Sequence, residues 1–220
     1  MSLPEITSRD EWLIARRALL AKEKEHTRRM DALNAERRRL PMVAVDTPYT
    51  FEGPQGRVTL ADLFDGRRQL VLQHVMYGPD WDSVCPGCTA GLDEMSPGLL
   101  RHLGSRETAF AAVSRAPFAK LAATSADKGW TFPWYSSFGS DFNYDFDATV
   151  DPDGEMPGVS CFLRDGDTVF HTYSTFARGT DQLGSAYSFL DLTALGRSEE
   201  WEQPQGRVEK PHGADPTFSD

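Results

Sequence analysis

Residues 70–88 read LVLQHVMYGPDWDSVCPGC, and this stretch decides the fold. Its first part, Leu70 to Tyr77, is nearly continuous in apolar and β-favouring residues, as expected of a strand covered on both faces. A loop from Gly78 to Val84 leads to Cys85-Pro86-Gly87-Cys88, and Thr89 to Leu103 then reads as helix, with a break at Ser96-Pro97-Gly98. One step outward, Phe110 to Ser114 predicts a second buried strand and Pro117 to Asp127 a second helix. That β-α-β-α alternation predicts an α/β domain with parallel strands.

Flanking segments complete the domain. Gly53-Pro54-Gln55-Gly56 is turn chemistry between strand-like Tyr49–Phe51 and Arg57–Leu60, and Asp165-Gly166 joins Val159–Leu163 to Thr168–Tyr173 in a tight hairpin. Between them, residues 130–146 hold eight aromatic residues among glycines, serines and acids, which predicts a strand near Phe132 to Tyr135 and then an ordered loop. A helix is expected from Gly184 to Leu192. At the N-terminus Ser8 and Glu11 form a capping box, and no Gly or Pro interrupts Arg9 to Arg39 before Pro41. The expected organisation is a helical extension over residues 1–41, a domain over 42–196 and a polar tail over 197–220.

Composition narrows the function. With 23 Lys and Arg against 33 Asp and Glu, the net charge of −10 argues against nucleic acid as partner. No apolar run reaches the roughly 20 residues that span a bilayer, and no signal-peptide pattern opens the chain, so a cytoplasmic protein that does not enter membranes is expected. Glycines and prolines follow no period, which excludes collagen-like and solenoid architectures. Three cysteines are too few for a disulfide framework, so their reactivity is the question to ask.

Cys85 stands where a helix N-terminus stabilises a thiolate, which makes it the candidate nucleophile; Cys88, about one turn on, can attack a mixed disulfide from inside. Pro86 and Gly87 shape the turn. The competing reading, half of a zinc site, needs two further ligands, and Cys161, His74, His102 and His171 show no ligand-like spacing. Dithiol chemistry needs neither metal nor cofactor. Cys161 is expected in the core as a small hydrophobe. His74 is a candidate proton acceptor beneath the cysteines or a satisfied core histidine, and Arg115 a candidate aid to thiolate formation or the partner of an acid. His171 and Tyr173 are expected on one face of the last strand. Trp134 and Tyr144, with Asp141 and Asn143, are candidates for a substrate cleft.

Met156-Pro157 before the strand Val159–Leu163 resembles the thioredoxin fold, where a cis-proline before a strand and tight hairpin lies opposite the Cys-x-x-Cys. The resemblance implies a three-layer α/β/α sandwich with a central mixed sheet, a cis Pro157 and a Met156 backbone that pairs with an extended substrate. The Pro-Gly spacer is reversed relative to thioredoxin, and Val84 replaces the usual tryptophan. Gly56 to Leu63, Tyr77-Gly78-Pro79-Asp80-Trp81 and Val84-Cys85-Pro86 also resemble peroxiredoxins. Those proteins place Thr or Ser three residues before the reactive cysteine, where this chain has Asp82.

Longer stretches are more specific. Ala112 to Pro117, Gly129 to Trp134, Gly139 to Phe146, Phe162 to Gly166, Val169 to Ser174 and Asp191 to Thr193 are similar to the bacterial thioredoxin-like family known as domain of unknown function 899. That likeness implies a dithiol–disulfide oxidoreductase with a protein or small-molecule disulfide or thiol as substrate and a separate reductant. A thiol peroxidase and a non-catalytic binding module on the same scaffold are the alternatives. The N-terminal helix hints at a homodimer.

Overall fold

Leu70, Leu72 and His74 alternate with Val71 and Gln73 along β4 (Gln69–His74), and both sets are covered, so β4 takes a central place in the sheet. The computed structural model describes residues 3–150 and 154–211. Before β4 come β1 (Val43–Ala44) and the hairpin of β2 (Thr50–Gly53) and β3 (Gly56–Thr59). After it come β5 (Thr108–Ser114), β6 (Trp134–Ser136), β7 (Gly158–Asp165) and β8 (Thr168–Phe176). Among the described residues the sheet runs β1-β8-β7-β4-β5-β6-β2-β3. β4, β5 and β6 are parallel, and every other pairing is antiparallel.

Two apolar clusters cover the sheet, making the three layers. On one face α2 (Pro86–Asp93), α3 (Pro97–Gly104) and α4 (Phe118–Lys128) bring Cys88, Leu92, Leu100 and Leu121 against Val71, Val75, Phe110 and Trp134. On the other, Leu63 and Phe64 of a 3-10 turn and Phe142 and Phe146 around α5 (Phe142–Asp145) pack on Leu70, Leu72 and Phe162. The helix expected over Thr89–Leu103 is thus two helices. Ser96 caps the second by accepting the Leu99 N–H, and Pro97 occupies its first turn.

The aromatic segment departs from the expected loop. Phe142 is fully buried and meets Tyr49, Phe51 and Phe146 at ring-centroid distances of 5.1, 4.9 and 4.5 Å. Asn143, also buried, accepts the Ser137 hydroxyl at 2.7 Å, while its carbonyl takes the N–H groups of Ala148 and Thr149. With polar groups met internally, one turn of helix forms where composition suggested only loop.

β8 carries a second departure. Its register with β7 shifts between Cys161 and Phe162, so that Thr172 is an extra residue between His171, which opposes Phe162, and Tyr173, which opposes Cys161. This bulge places His171 and Tyr173 on opposite faces instead of one. Cys161 is only half-buried and takes part in neither apolar cluster, so the expected core placement is not what the structure has.

By its contacts the chain forms two units, residues 42–185 and residues 3–41 with 186–211. The second contains α1 (Arg9–Arg37), whose capping box at Ser8 and Glu11 forms as the sequence predicts. It also holds the segment around α6 (Ser185–Leu190), where Arg197 grips Asp191 at 2.8 Å through two nitrogens. Residues 212–220 of the expected tail lie outside the described residues.

Candidate active site

Met76, two residues beyond the end of β4, holds both cysteines by backbone hydrogen bonds. The Cys85 N–H donates to the Met76 carbonyl at 3.0 Å, and the Met76 N–H donates to Cys88 Sγ at 3.5 Å. Cys85 is the N-cap of α2 and Pro86 its first residue, a position where the missing proline N–H costs the helix nothing. Cys85 is half-buried and Cys88 buried at 6% exposure, so the first cysteine of the pair is the more accessible. The Cys85 sulfur lies over Gly87, 3.9 Å from where a Cβ would stand, at the start of α2, where the helix dipole favours negative charge. Thr89 clamps the turn, giving both its N–H and its hydroxyl to the Cys85 carbonyl.

The loop ahead of Cys85 is fixed from α4. Lys120 Nζ donates to the carbonyls of Pro79 and Trp81 at 2.8 and 3.0 Å, drawing the loop back on itself. Gly78 is required there, because a Cβ would stand 2.9 Å from the Trp81 ring. Lys120 carried no sequence signal, since its partners are backbone carbonyls.

Arg115 follows β5 at the same end of the sheet, where the Ala116 N–H donates to the Tyr77 carbonyl. Its guanidinium bonds Glu155 at 2.9 Å and lies 4.9 Å from the centroid of the Tyr144 ring. The Glu155 carboxyl is almost fully enclosed, and burial pushes its pKa up while Arg115 and Thr149 hold it down. Of the two roles open to Arg115, pairing with an acid is the one that this geometry displays. Glu155 was invisible in the sequence, because its partner lies forty residues away.

Met156 and Pro157 reach the cysteine end. His74 pairs with Gly158, and continuing that antiparallel register sets Pro157 level with Val75 and Met156 level with Met76. Two features differ from expectation. The cis peptide among the described residues is Gln203–Pro204, so Pro157 is trans. The Met156 N–H already donates to Ala148 at 2.9 Å, because residues 154–156 fold back onto the segment after α5.

Trp134 and His74 are also not where a substrate or the thiols would meet them. Trp134 is 3% exposed and donates its Nε1–H to Ser114 Oγ, in the layer beneath the cysteine loop. Tyr144 is exposed. His74 points to the far face, away from Cys88, because side chains alternate along β4. There its Nε2 bonds Ser160 Oγ at 2.8 Å, Ser160 bonds Ser174 at 2.7 Å, and Ser174 bonds His171 Nε2 at 2.8 Å. Burial pushes the His74 pKa down to about 3, with His171 adding to the effect, and among the described residues its Nδ1 has no hydrogen-bond partner. It is the satisfied core histidine on one nitrogen only.

Among the described residues there is no group of three or more His, Cys, Asp or Glu placed to hold a metal ion, and no helix long and apolar enough to cross a membrane. Solved structures share the fold. Peroxiredoxin Q from Xanthomonas campestris, in a cysteine-to-serine mutant, matches with a TM-score of 0.51 at 18% identity over 68% of this chain and 98% of that one. A second form of the same Xanthomonas campestris protein matches with a TM-score of 0.51 at 17% identity over 67% and 95%. A comparison with curated proteins gives no match. The sequence family described as "Bacterial protein of unknown function (DUF899)" matches residues 1–212, and the chain belongs to that family.

Proposed function

We propose that the protein is a dithiol–disulfide oxidoreductase working through Cys85 and Cys88. The observation that carries this reading is the pair itself: a half-buried cysteine at the start of a helix, and a buried one a turn later whose sulfur receives the Met76 N–H. Cys85 as thiolate attacks a substrate disulfide, expelling one substrate thiolate and forming a mixed disulfide. Cys88, as thiolate, attacks the Cys85 sulfur, releases the second substrate thiol and leaves an intramolecular disulfide. Two electrons have then passed to the substrate, which is a protein or small-molecule disulfide. A separate dithiol or glutathione-class reductant restores the pair. A cytosolic glutathione poise would favour this reducing direction.

The test is the midpoint potential of the pair, measured by thiol trapping across glutathione buffers in the Cys161→Ser variant. A reversible two-electron transition between about −120 and −300 mV is expected. Failure to form an intramolecular disulfide sinks the proposal.

A thiol peroxidase is the second reading, favoured by the peroxiredoxin likeness of the fold. Against it stands Asp82, a carboxylate where peroxiredoxins place a hydroxyl. Rapid, stoichiometric loss of the Cys85 thiol with hydrogen peroxide would favour it. A partner that binds equally well to the Cys85→Ala variant would favour a non-catalytic module. Membership of a homodimer through α1 is open to sizing by light scattering.

A further inference from the structure

The face of the sheet opposite the cysteines carries a pocket of about 270 Å³ that the thiol chemistry does not use. Its inner wall is aromatic. Tyr49 and Phe146 are both buried, their rings 5.9 Å apart and inclined at 65°, and Phe146 meets the His171 ring at 5.1 Å and 82°. Its mouth is anionic, with the exposed carboxylates of Asp46, Asp145 and Asp147, and among the described residues neither lysine nor arginine lines it.

Three features show that this pocket is built. The Thr172 bulge turns His171, Ser174 and Phe176 of β8 all toward it; strict alternation would have sent Ser174 and Phe176 to the other face once His171 faced this one. The Tyr49 hydroxyl donates to Asp145 Oδ2 at 2.5 Å, fixing that carboxylate at the mouth. Asp147 holds a left-handed backbone, φ 53°, a conformation a non-glycine residue adopts at a cost and one that gathers at binding sites. Burial lowers the His171 pKa, so at neutral pH its ring contributes an uncharged aromatic wall.

We propose that this pocket binds a small organic cation of the alkylammonium class. Rings attract a cation through their electron-rich faces, and carboxylates at the mouth supply the remaining counter-charge. The three carboxylates and His171 do not converge on a point that a metal ion could occupy. A diffuse positive charge spread over methyl or methylene groups fits both the wall and the mouth. This site stands on the far face and is independent of Cys85 and Cys88.

The test titrates the full chain with choline and with its uncharged isostere 3,3-dimethylbutan-1-ol, by calorimetry and by amide shifts. Choline is expected to saturate at about millimolar concentration or below, moving the amides of Val45, Asp147 and His171, while the isostere binds at least about tenfold more weakly. The Asp46→Asn/Asp147→Asn double variant changes only exposed side chains, so it should fold and weaken choline by about tenfold, with thiol turnover unchanged. Equal binding of both compounds, shifts outside the pocket, undiminished binding by the double variant, or no saturation of choline by about 10 mM would each overturn the proposal.

Discussion

The two faces of the central sheet are made from alternate residues of the same strands, yet they treat polar atoms differently. On the helix-covered face, Met76 in the turn after β4 spends its two backbone groups on the two cysteines, accepting the Cys85 N–H and donating to Cys88 Sγ, and the surrounding layer is apolar. On the far face, His74, Ser160, Ser174 and His171 hydrogen-bond in a row among phenylalanine rings. His74 and Met76 are two residues apart, and the backbone turning out of the strand between them assigns one to each face. The two bonds from Met76 to the cysteine pair are thus made by backbone groups, which substitution of the Met76 side chain leaves in place. The polar row depends on side chains alone, so it is the more fragile of the two.

The largest expected effect tests whether chemistry belongs to one face only. Cys85→Ser should lower disulfide turnover by at least about a thousandfold while leaving the thermal midpoint unchanged, and Cys88→Ser should accumulate a mixed disulfide visible by mass. Loss of turnover in a far-face variant of unchanged stability would break the comparison.

Arg115 and Glu155 lie where the faces meet at the end of β5. Arg115→Met strands a buried carboxylate and should destabilise by about 3 kcal/mol in urea, while Arg115→Met combined with Glu155→Leu should recover most of that. Equal losses in both variants would show that the arginine acts by packing.

Ser160→Ala interrupts the far-face row and leaves the buried His74 Nε2 without its hydrogen-bond partner, for an expected loss of about 1–3 kcal/mol. The row also sets a pH dependence. With His74 held near 3 when folded, the unfolded chain binds a proton below about 6.5 that the folded chain refuses. Stability should therefore be full above about 6.5 and fall as pH drops towards 3, read as the urea midpoint at pH 7, 5.5 and 4.5. His74→Phe should flatten that slope, and a slope of unchanged size would assign it to other groups. Lys120→Met is the smallest expected change, a few-fold fall in turnover from a loosened loop with stability altered by less than about 1 kcal/mol.

Much of this was legible in order of hydrophobic continuity. The run from Leu70 to Tyr77 and the motif at Cys85 sufficed for the strand, the loop and the helix start, since each follows from local periodicity and turn chemistry. The Ser8–Glu11 box and Asp165-Gly166 were equally local. What escaped depends on partners distant in sequence. Phe142 is a core residue only because Phe51 and His74 come to meet it, and Glu155 is a buried acid only because Arg115 does. The facing of His74 was lost because a strand buried on both sides shows no alternation from which to read direction. Trans Pro157 and the occupied Met156 N–H were hidden for a related reason: they follow from a fold-back of residues 154–156 that has no motif.

Thr172 is a single inserted letter in a two-letter rhythm. Deleting it would leave every other residue of β8 chemically unchanged but exchange the sides of those on one flank of the cut, so composition would be conserved while the polar row and the pocket wall were dismantled. A length change of one residue in this strand is therefore a larger mutation than most substitutions. Variants of this chain that drift freely in sequence along β8 should still keep its residue count.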